Sequence, residues 1–140
     1  MHCVKIVGKV FSGIGEGRKY VELYRNEIKK ALGIDPYPGT LNIRLDPAYI
    51  EIVREVLISR PYTIITPPNP ALGPVLVWKG FIKSIQVFIV KPVRTMWGVD
   101  VIEVISEDCL RRKLSLMDGD TISLLVALEP NAICIDERTS

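Results

Sequence analysis

The sequence predicts a mainly β fold with short helices, arranged as a closed or nearly closed barrel. Six or seven segments rich in Val, Ile and aromatic residues have the length and the patterning of strands. The helical segments are few and short, and they do not alternate with the strands as βαβ units would. Closing the strands into a barrel removes the exposed edges that an open sheet would present.

The first half of the chain carries the signals of two strands and two helices. Gly33 is placed to end the first helix, and Asp46 with Pro47 is placed to begin the second one. In order, the predicted elements are a strand over 4–11, a glycine-rich loop over 12–19, a helix over about 20–32 with Val21, Tyr24, Ile28 and Ala31 or Leu32 on its apolar face, a strand over 40–45, and a helix through Ile50, Val53 and Leu57.

The second half is predicted to be mostly strands. Five prolines in 61–74 predict an extended surface loop, because proline cannot donate to a sheet ladder. The elements that follow are strands over 75–78 and 81–90 with a turn near Lys79-Gly80, a strand over 99–105, a helix over 107–114 capped by Ser106, a tight turn at Met117-Asp118-Gly119-Asp120, and a strand over 121–128. We treat 1–130 as a single barrel domain and expect 131–140 to be a flexible tail.

Composition limits the possible functions. The chain has 140 residues, 48% of them apolar and 24% charged, with a formal net charge of +2. Because its Lys and Arg residues are interspersed with acids, no nucleic-acid partner is expected. No apolar run approaches a membrane-spanning length, and no signal peptide opens the sequence, so we expect a cytoplasmic protein without a membrane partner.

The cysteine and histidine content narrows the chemistry further. Cys3, Cys109 and Cys134 are too widely spaced for a Cys-x-x-Cys metal site, and their odd number predicts reduced thiols. His2 is the only histidine. Histidine bases, Ser-His-Asp triads and imidazole zinc sites are therefore disfavoured.

Thr40 and Asn42 lie in the segment Pro38-Gly39-Thr40-Leu41-Asn42, two residues apart on a predicted strand. Their side chains therefore point the same way. Neutral oxygens of this kind suit Mg²⁺, which shares its coordination shell with water and substrate phosphates. A solvated Thr/Asn pair on an exposed strand face is the alternative.

The loop Gly13-Ile14-Gly15-Glu16-Gly17-Arg18 is the second candidate site. Glycine at every second position lets backbone N–H groups turn toward an anion, and Arg18 and Lys19 add positive charge. The loop matches neither a Walker A motif nor a dinucleotide fingerprint. A flexible turn between strand and helix is the alternative.

Two further groups of residues are weaker candidates. Glu103 interrupts an apolar strand, and Thr95 ends a polar connection. Glu103 could orient a substrate hydroxyl or accept its proton if it faced a cleft, although a solvent-facing Glu is the alternative. The segment Asp108-Cys109-Leu110-Arg111-Arg112 could bind part of a nucleotide or could be a solvated helix face.

Together these motifs resemble the archaeal CTP-dependent riboflavin kinases. The similarity rests on Ser-Gly-x-Gly-Glu-Gly-Arg at 12–18 and on Tyr37-Pro38-Gly39-Thr40-Leu41-Asn42. It continues through Leu45-Asp46, Thr95, Glu103, Leu110-Arg111 and Asp118-Gly119-Asp120.

The resemblance implies a six-stranded cradle-loop barrel that transfers the γ-phosphoryl group of CTP to riboflavin, giving FMN and CDP. It implies that Gly13 to Arg18 and Asp108 to Arg111 bind the nucleotide, with Arg18 also catalytic. Thr40 and Asn42 would hold Mg²⁺, and Thr95 and Glu103 would contact riboflavin or FMN. Some relatives carry an amino-terminal helix-turn-helix domain, which we expect this chain to lack; we also expect a monomer. A DNA-binding or regulatory barrel and a non-catalytic nucleotide or flavin sensor are the alternative functions.

Overall fold

The computed structural model describes residues 2–58, 61–93, 98–129 and 131–134. Within these ranges the chain forms seven strands and four helices. The strands are β1 (Cys3–Phe11), β2 (Leu41–Leu45), β3 (Thr63–Ile65), β4 (Val75–Ile82), β5 (Ile85–Pro92), β6 (Val101–Ile105) and β7 (Thr121–Ala127). The helices are α1 (Glu16–Leu23), α2 (Arg25–Leu32), α3 (Ile50–Ile58) and α4 (Leu110–Lys113).

Six of the strands close into an antiparallel barrel, which confirms the predicted fold class. The order is β4-β5-β6-β2-β1-β7, and β7 returns to pair with β4 at Gly80↔Val126 and Phe81↔Leu125. Strand β3 adds to the outer edge of β4. All pairs are antiparallel, whether the strands are consecutive in the chain, as β4 and β5 are, or far apart, as β1 and β7 are.

Two apolar clusters lie on opposite faces of the barrel wall. Alternate strand residues, such as Leu41, Ile43 and Leu45 of β2, fill the interior. Val53 and Val56 of α3 join this interior cluster, so α3 packs against the barrel core. The outer face of β4, β5 and β6 packs against α1 and α2 through a second cluster. The intervening residues of β2 and β6 therefore face outward, and they include the predicted site residues Asn42 and Glu103.

The hairpin between β4 and β5 turns later than the sequence predicted. Strand β4 continues through Lys79 and Gly80, and the turn lies at Lys83-Ser84, where Lys83 has a φ of 55°. Gly80 permits a close backbone approach instead of a turn. A Cβ at this position would lie 3.0 Å from the Leu125 backbone oxygen, where β7 closes the barrel. In the proline-rich segment, Thr63–Ile65 forms the short strand β3 rather than loop.

The helices also differ from their predicted limits. The predicted helix over 20–32 begins earlier, at Glu16, and it is divided into α1 and α2 at Tyr24, which has a φ of −96° and a ψ of 7°. Gly33 ends α2 in a left-handed conformation, as predicted. Asp46 takes the N-cap position, but it opens a 3-10 turn at Pro47–Tyr49 before α3.

The helix predicted over 107–114 is shorter, and Ser106 does not cap it. Cys109 holds the N-cap position of α4. The Ser106 hydroxyl instead accepts a hydrogen bond from the Asp108 N–H at 3.2 Å, within the turn that precedes α4.

A disulfide joins Cys3 to Cys134, so the prediction of three reduced thiols is wrong for two of them. Cys3 lies at the start of β1, opposite Ala127 at the end of β7, and the chain beyond β7 folds back to reach it. Cys134 is buried with Phe81 and Ala127. The first part of the tail that was predicted to be flexible is therefore attached to β1, and 135–140 lie outside the described residues. No helix among the described residues is long and apolar enough to cross a membrane.

Candidate active site

The glycine-rich loop lies directly on Thr40 and Asn42. A Cβ atom at Gly13 would overlap the Asn42 amide nitrogen, and one at Gly17 would overlap the Thr40 hydroxyl. Gly15, between them, has a φ of 86°. The three glycines are thus required for two close approaches and one left-handed residue. The two strongest sequence motifs form a single site.

Thr40 and Asn42 form a paired set of oxygen atoms beside this loop. The Thr40 hydroxyl donates to the Asn42 side-chain oxygen at 2.9 Å. Asn42 is only 8% exposed, one of few buried polar side chains among the described residues. No group of three or more His, Cys, Asp and Glu side chains suited to a metal lies in the described ranges. Two neutral oxygens fit a Mg²⁺ that keeps several water or phosphate ligands.

Glu103 lies next to Asn42 in a row that crosses the outer face of the barrel. The register pairs Phe11 with Asn42, Asn42 with Glu103, and Glu103 with Val90. Paired residues point to the same face, and neighbouring strands lie about 4.8 Å apart. Glu103 is therefore adjacent to the proposed metal-binding pair, on the side away from β1.

The surroundings of Glu103 are partly apolar and partly charged. Burial raises the pKa of Tyr20 on α1 well above its usual range, and the nearby Tyr24 and the Glu103 carboxylate act in the same direction. Burial lowers the pKa of Lys91 on β5, while Glu103 and Asp100 act in the opposite direction. Glu103 is thus partly buried and close enough to Tyr20 and Lys91 to influence both groups.

A pocket of about 160 Å³ extends from Thr40 toward α4. Asp108, Cys109, Leu110 and Arg111 line it together with Thr40, the residue that Gly17 of the glycine loop closely approaches. The Leu110 side chain is buried in the barrel core. The remaining lining residues are Tyr37, Pro38, Gly39, Leu41, Val104 and Ser106.

The pocket carries a polarised thiol at Cys109. Burial opposes ionisation of this thiol, but hydrogen bonds from the Arg112 backbone and side chain and from Tyr37, together with the Arg112 charge, outweigh burial and lower the Cys109 pKa. The Arg112 guanidinium lies 5.7 Å from the centre of the Tyr37 ring. This side of the pocket favours negative charge.

The other predicted residues have varied surroundings. Arg18 is exposed and pairs with Glu22 at 3.2 Å, and Glu16 lies 3.8 Å from Lys19. Ile14, at the tip of the loop, is 68% exposed. Asp108 pairs with Lys113 at 2.9 Å. Thr95 lies outside the described residues.

The sequence reasoning assigned no role to several residues at this site. Tyr37 was part of a recognised motif, yet its contact with the far end of the chain depends on the fold. Ser12 was predicted only as the start of the glycine-loop motif, and Asp118 only as part of a turn that belongs to the family resemblance. The two side chains are hydrogen-bonded at 2.9 and 3.0 Å. Their separation of 106 residues explains why no sequence signal linked them.

Comparison with known proteins adds an independent observation. The family model CTP-dep_RFKase, described as domain of unknown function DUF120, matches residues 10–126. A riboflavin kinase of Staphylothermus marinus is 40% identical over 123 residues, covering 88% of this chain and 92% of that protein. A riboflavin kinase of Ignicoccus hospitalis is 38% identical over 127 residues, covering 88% and 71% respectively. One from Archaeoglobus fulgidus is 42% identical over 129 residues, covering 89% of this chain but 55% of that protein.

Proposed function

The chain belongs to the CTP-dependent riboflavin kinase family, and from this membership we propose that it transfers the γ-phosphoryl group of CTP to the 5′-hydroxyl of riboflavin. In this reaction the bond between the γ-phosphorus and its bridging oxygen breaks, and a bond to the riboflavin 5′-oxygen forms. The products are FMN and CDP, and the hydroxyl proton is released.

The observation that carries the proposal is the contact of the glycine loop with Thr40 and Asn42. This contact brings a loop suited to phosphates against a pair of oxygens suited to Mg²⁺. Glu103 follows in the same row of the outer face. The residues that we assign to the phosphates, to Mg²⁺ and to the acceptor hydroxyl therefore adjoin one another, which supports phosphoryl transfer.

We assign the nucleotide phosphates to the glycine loop and the start of α1. Helix α1 begins at Glu16, so its first backbone N–H groups lack partners within the helix and can bind an anion. Arg18 would leave its surface pair with Glu22 to approach the phosphates, since such pairs contribute little stability. The rest of the nucleotide would occupy the pocket lined by Asp108 to Arg111.

We assign Mg²⁺ to Thr40 and Asn42. Their two oxygens lie 2.9 Å apart, so binding an ion would replace the hydrogen bond between them. When bound, the ion would offset negative charge on the phosphates of CTP. Asn42 is buried, which fixes its side chain before ligand arrives.

We assign the acceptor side to Glu103, with Thr95 as a further contact. Glu103 would orient the riboflavin 5′-hydroxyl toward the phosphoryl group and could accept its proton. The transition state of phosphoryl transfer is loose, so positioning supplies much of the acceleration. The surface beside Glu103, toward Lys91 of β5 and Tyr20 of α1, would hold the rest of the acceptor.

The decisive experiment offers riboflavin with CTP, ATP, GTP or UTP in the presence of Mg²⁺ and measures FMN. We expect FMN with CTP and much less with the other nucleotides. No FMN with any nucleotide would refute the kinase assignment. Flavin or nucleotide binding without turnover would then favour the sensor alternative, and salt-sensitive DNA binding would favour the regulatory alternative.

A substitution of Asn42 tests the assignment of Mg²⁺ to Thr40 and Asn42. Asn42→Ala should raise the Mg²⁺ concentration needed for half-maximal activity by roughly tenfold or more, because it removes one of two protein ligands. Asn26→Ala is the matched control, since Asn26 is an exposed residue of α2. An unchanged Mg²⁺ dependence in Asn42→Ala would contradict the assignment.

A further inference from the structure

The Asp118 carboxylate joins Arg111, seven residues before it, to Ser12, which is 106 residues away in the sequence. It accepts hydrogen bonds from the Ser12 hydroxyl at 2.9 and 3.0 Å and from Arg111 Nη2 at 2.7 Å. Arg111 Nη2 also lies 3.4 Å from the Ser12 oxygen. Ser12 immediately precedes the glycine loop, and Arg111 lines the pocket at α4. One carboxylate thus connects the two walls of the candidate nucleotide site.

The turn that carries Asp118 is itself fixed to strand β1. The Gly119 N–H donates to the Val10 oxygen at 2.7 Å, and the Val10 N–H donates to the Asp120 oxygen at 2.9 Å. Within the turn, the Met117 N–H donates to the Asp120 carboxylate at 2.8 Å. Asp118 is therefore held against the end of β1, at the point where the chain enters the glycine loop.

The bonds to Arg111 hold one edge of its guanidinium. Both described contacts use Nη2, whereas the group has five donors in a planar fork. The Nη1 donors can therefore meet a ligand while Nη2 stays on Asp118. The bonds from Arg111 and Ser12 lower the pKa of Asp118, so the carboxylate stays charged to a more acidic pH than an ordinary aspartate.

We propose that Asp118 is a positioning residue of the nucleotide site, which sets the glycine loop and the Arg111 guanidinium in one arrangement through Ser12 and Arg111. The expected kinetic effect of Asp118 rests on the proposed function, whereas the positioning of the glycine loop and Arg111 does not. The residue touches neither the pair Thr40–Asn42 nor Glu103 in the described contacts, so it acts through its two partners.

The kinetic test compares Asp118→Asn with Asp35→Asn. Asp35 is a matched control, because its pair with Arg25 has the same shortest distance of 2.7 Å and an equally exposed carboxylate. This pair joins the first residue of α2 to the segment that follows the helix. We expect Asp118→Asn to raise KM for CTP roughly 10- to 100-fold, with a smaller change in kcat and in KM for riboflavin. Asp118→Glu should recover part of the loss, and Asp35→Asn should behave as the wild type.

A second measurement is independent of activity. Amide hydrogen exchange should become faster across residues 12–17 in Asp118→Asn but not in Asp35→Asn. If Asp118→Asn folds poorly, Ser12→Ala provides the same comparison with one contact removed. Equal CTP KM values and equal exchange in the Asp118 and Asp35 variants would overturn the proposal. If the wild type makes no FMN, the proposed function fails, and the exchange result alone decides whether Asp118 positions the loop.

Discussion

Reducing the Cys3–Cys134 disulfide should lower the stability of the protein while leaving its active site intact. Cys3 lies at the opposite end of β1 from Phe11, where the chain enters the glycine loop, and those two residues are about 27 Å apart along an extended strand. The disulfide also lies in a separate apolar cluster with Phe81 and Ala127. The perturbation is therefore distant from the row that contains Asn42 and Glu103.

The magnitude follows from the length of chain that the disulfide closes. The two cysteines are 131 residues apart, nearly the whole sequence. The chain-entropy relation for a loop of this length gives about 5 kcal/mol of stabilisation at 25 °C. With an unfolding entropy of about 2.1 cal/mol/K per residue, this corresponds to a decrease in Tm of roughly 17 °C.

The assay compares the oxidised protein with protein refolded in reductant, by thermal unfolding. Cys109→Ser should show the same decrease, because it keeps the disulfide, whereas Cys3→Ser/Cys134→Ser should not respond to reductant. Alkylation of the unfolded, unreduced protein should modify one thiol of the three. A difference in Tm below about 3 °C, near 1 kcal/mol for a chain of this size, would refute the reasoning.

Three further predictions concern the site. Gly17→Ala should reduce kcat/KM about a hundredfold, because the new methyl group would displace Thr40 and misplace the reacting groups, and an unchanged rate would contradict the close approach. Glu103→Gln should lower kcat by about a hundredfold and leave CTP affinity nearly unchanged, as measured by single-turnover kinetics and calorimetry. Cys109 should react with iodoacetamide at a lower pH than an ordinary thiol, since a lowered pKa keeps the thiolate present to lower pH. Arg112→Ala should shift this profile upward, and identical profiles would exclude Arg112 as the cause.

Much of the barrel could be predicted because its strands alternate or are uniformly apolar, and the pairing of Thr40 with Asn42 followed from strand spacing alone. The β4–β5 turn was predicted near Lys79-Gly80, four residues too early, because a glycine in this pattern fits two structures. Glycine in a strand can mark a turn or a close backbone approach, and the choice here depends on β7, which pairs with β4 only in the closed barrel. The observed turn at Lys83-Ser84 contains no glycine, so the sequence pattern did not indicate it.

The disulfide and the Asp118 contacts could not be predicted for a related reason. The disulfide joins residues 131 positions apart, and the bond between Ser12 and Asp118 joins residues 106 positions apart. Both contacts depend on the pairing of β1 with β7. An odd cysteine count gave no indication of which two would meet. Local patterns specify elements and faces, whereas contacts between chain ends depend on the complete topology.

The alternation along β2 and β6 has a consequence for how such a chain can change in length during evolution. Leu41 and Ile43 fill the core while Asn42 faces outward, and Ile102 and Val104 fill the core while Glu103 faces outward beside Asn42. A single inserted or deleted residue within either strand would exchange the two sets, burying the polar group and exposing the apolar ones. Lengths within these strands can therefore change only in steps of about two residues, while the connecting loops are free of this constraint.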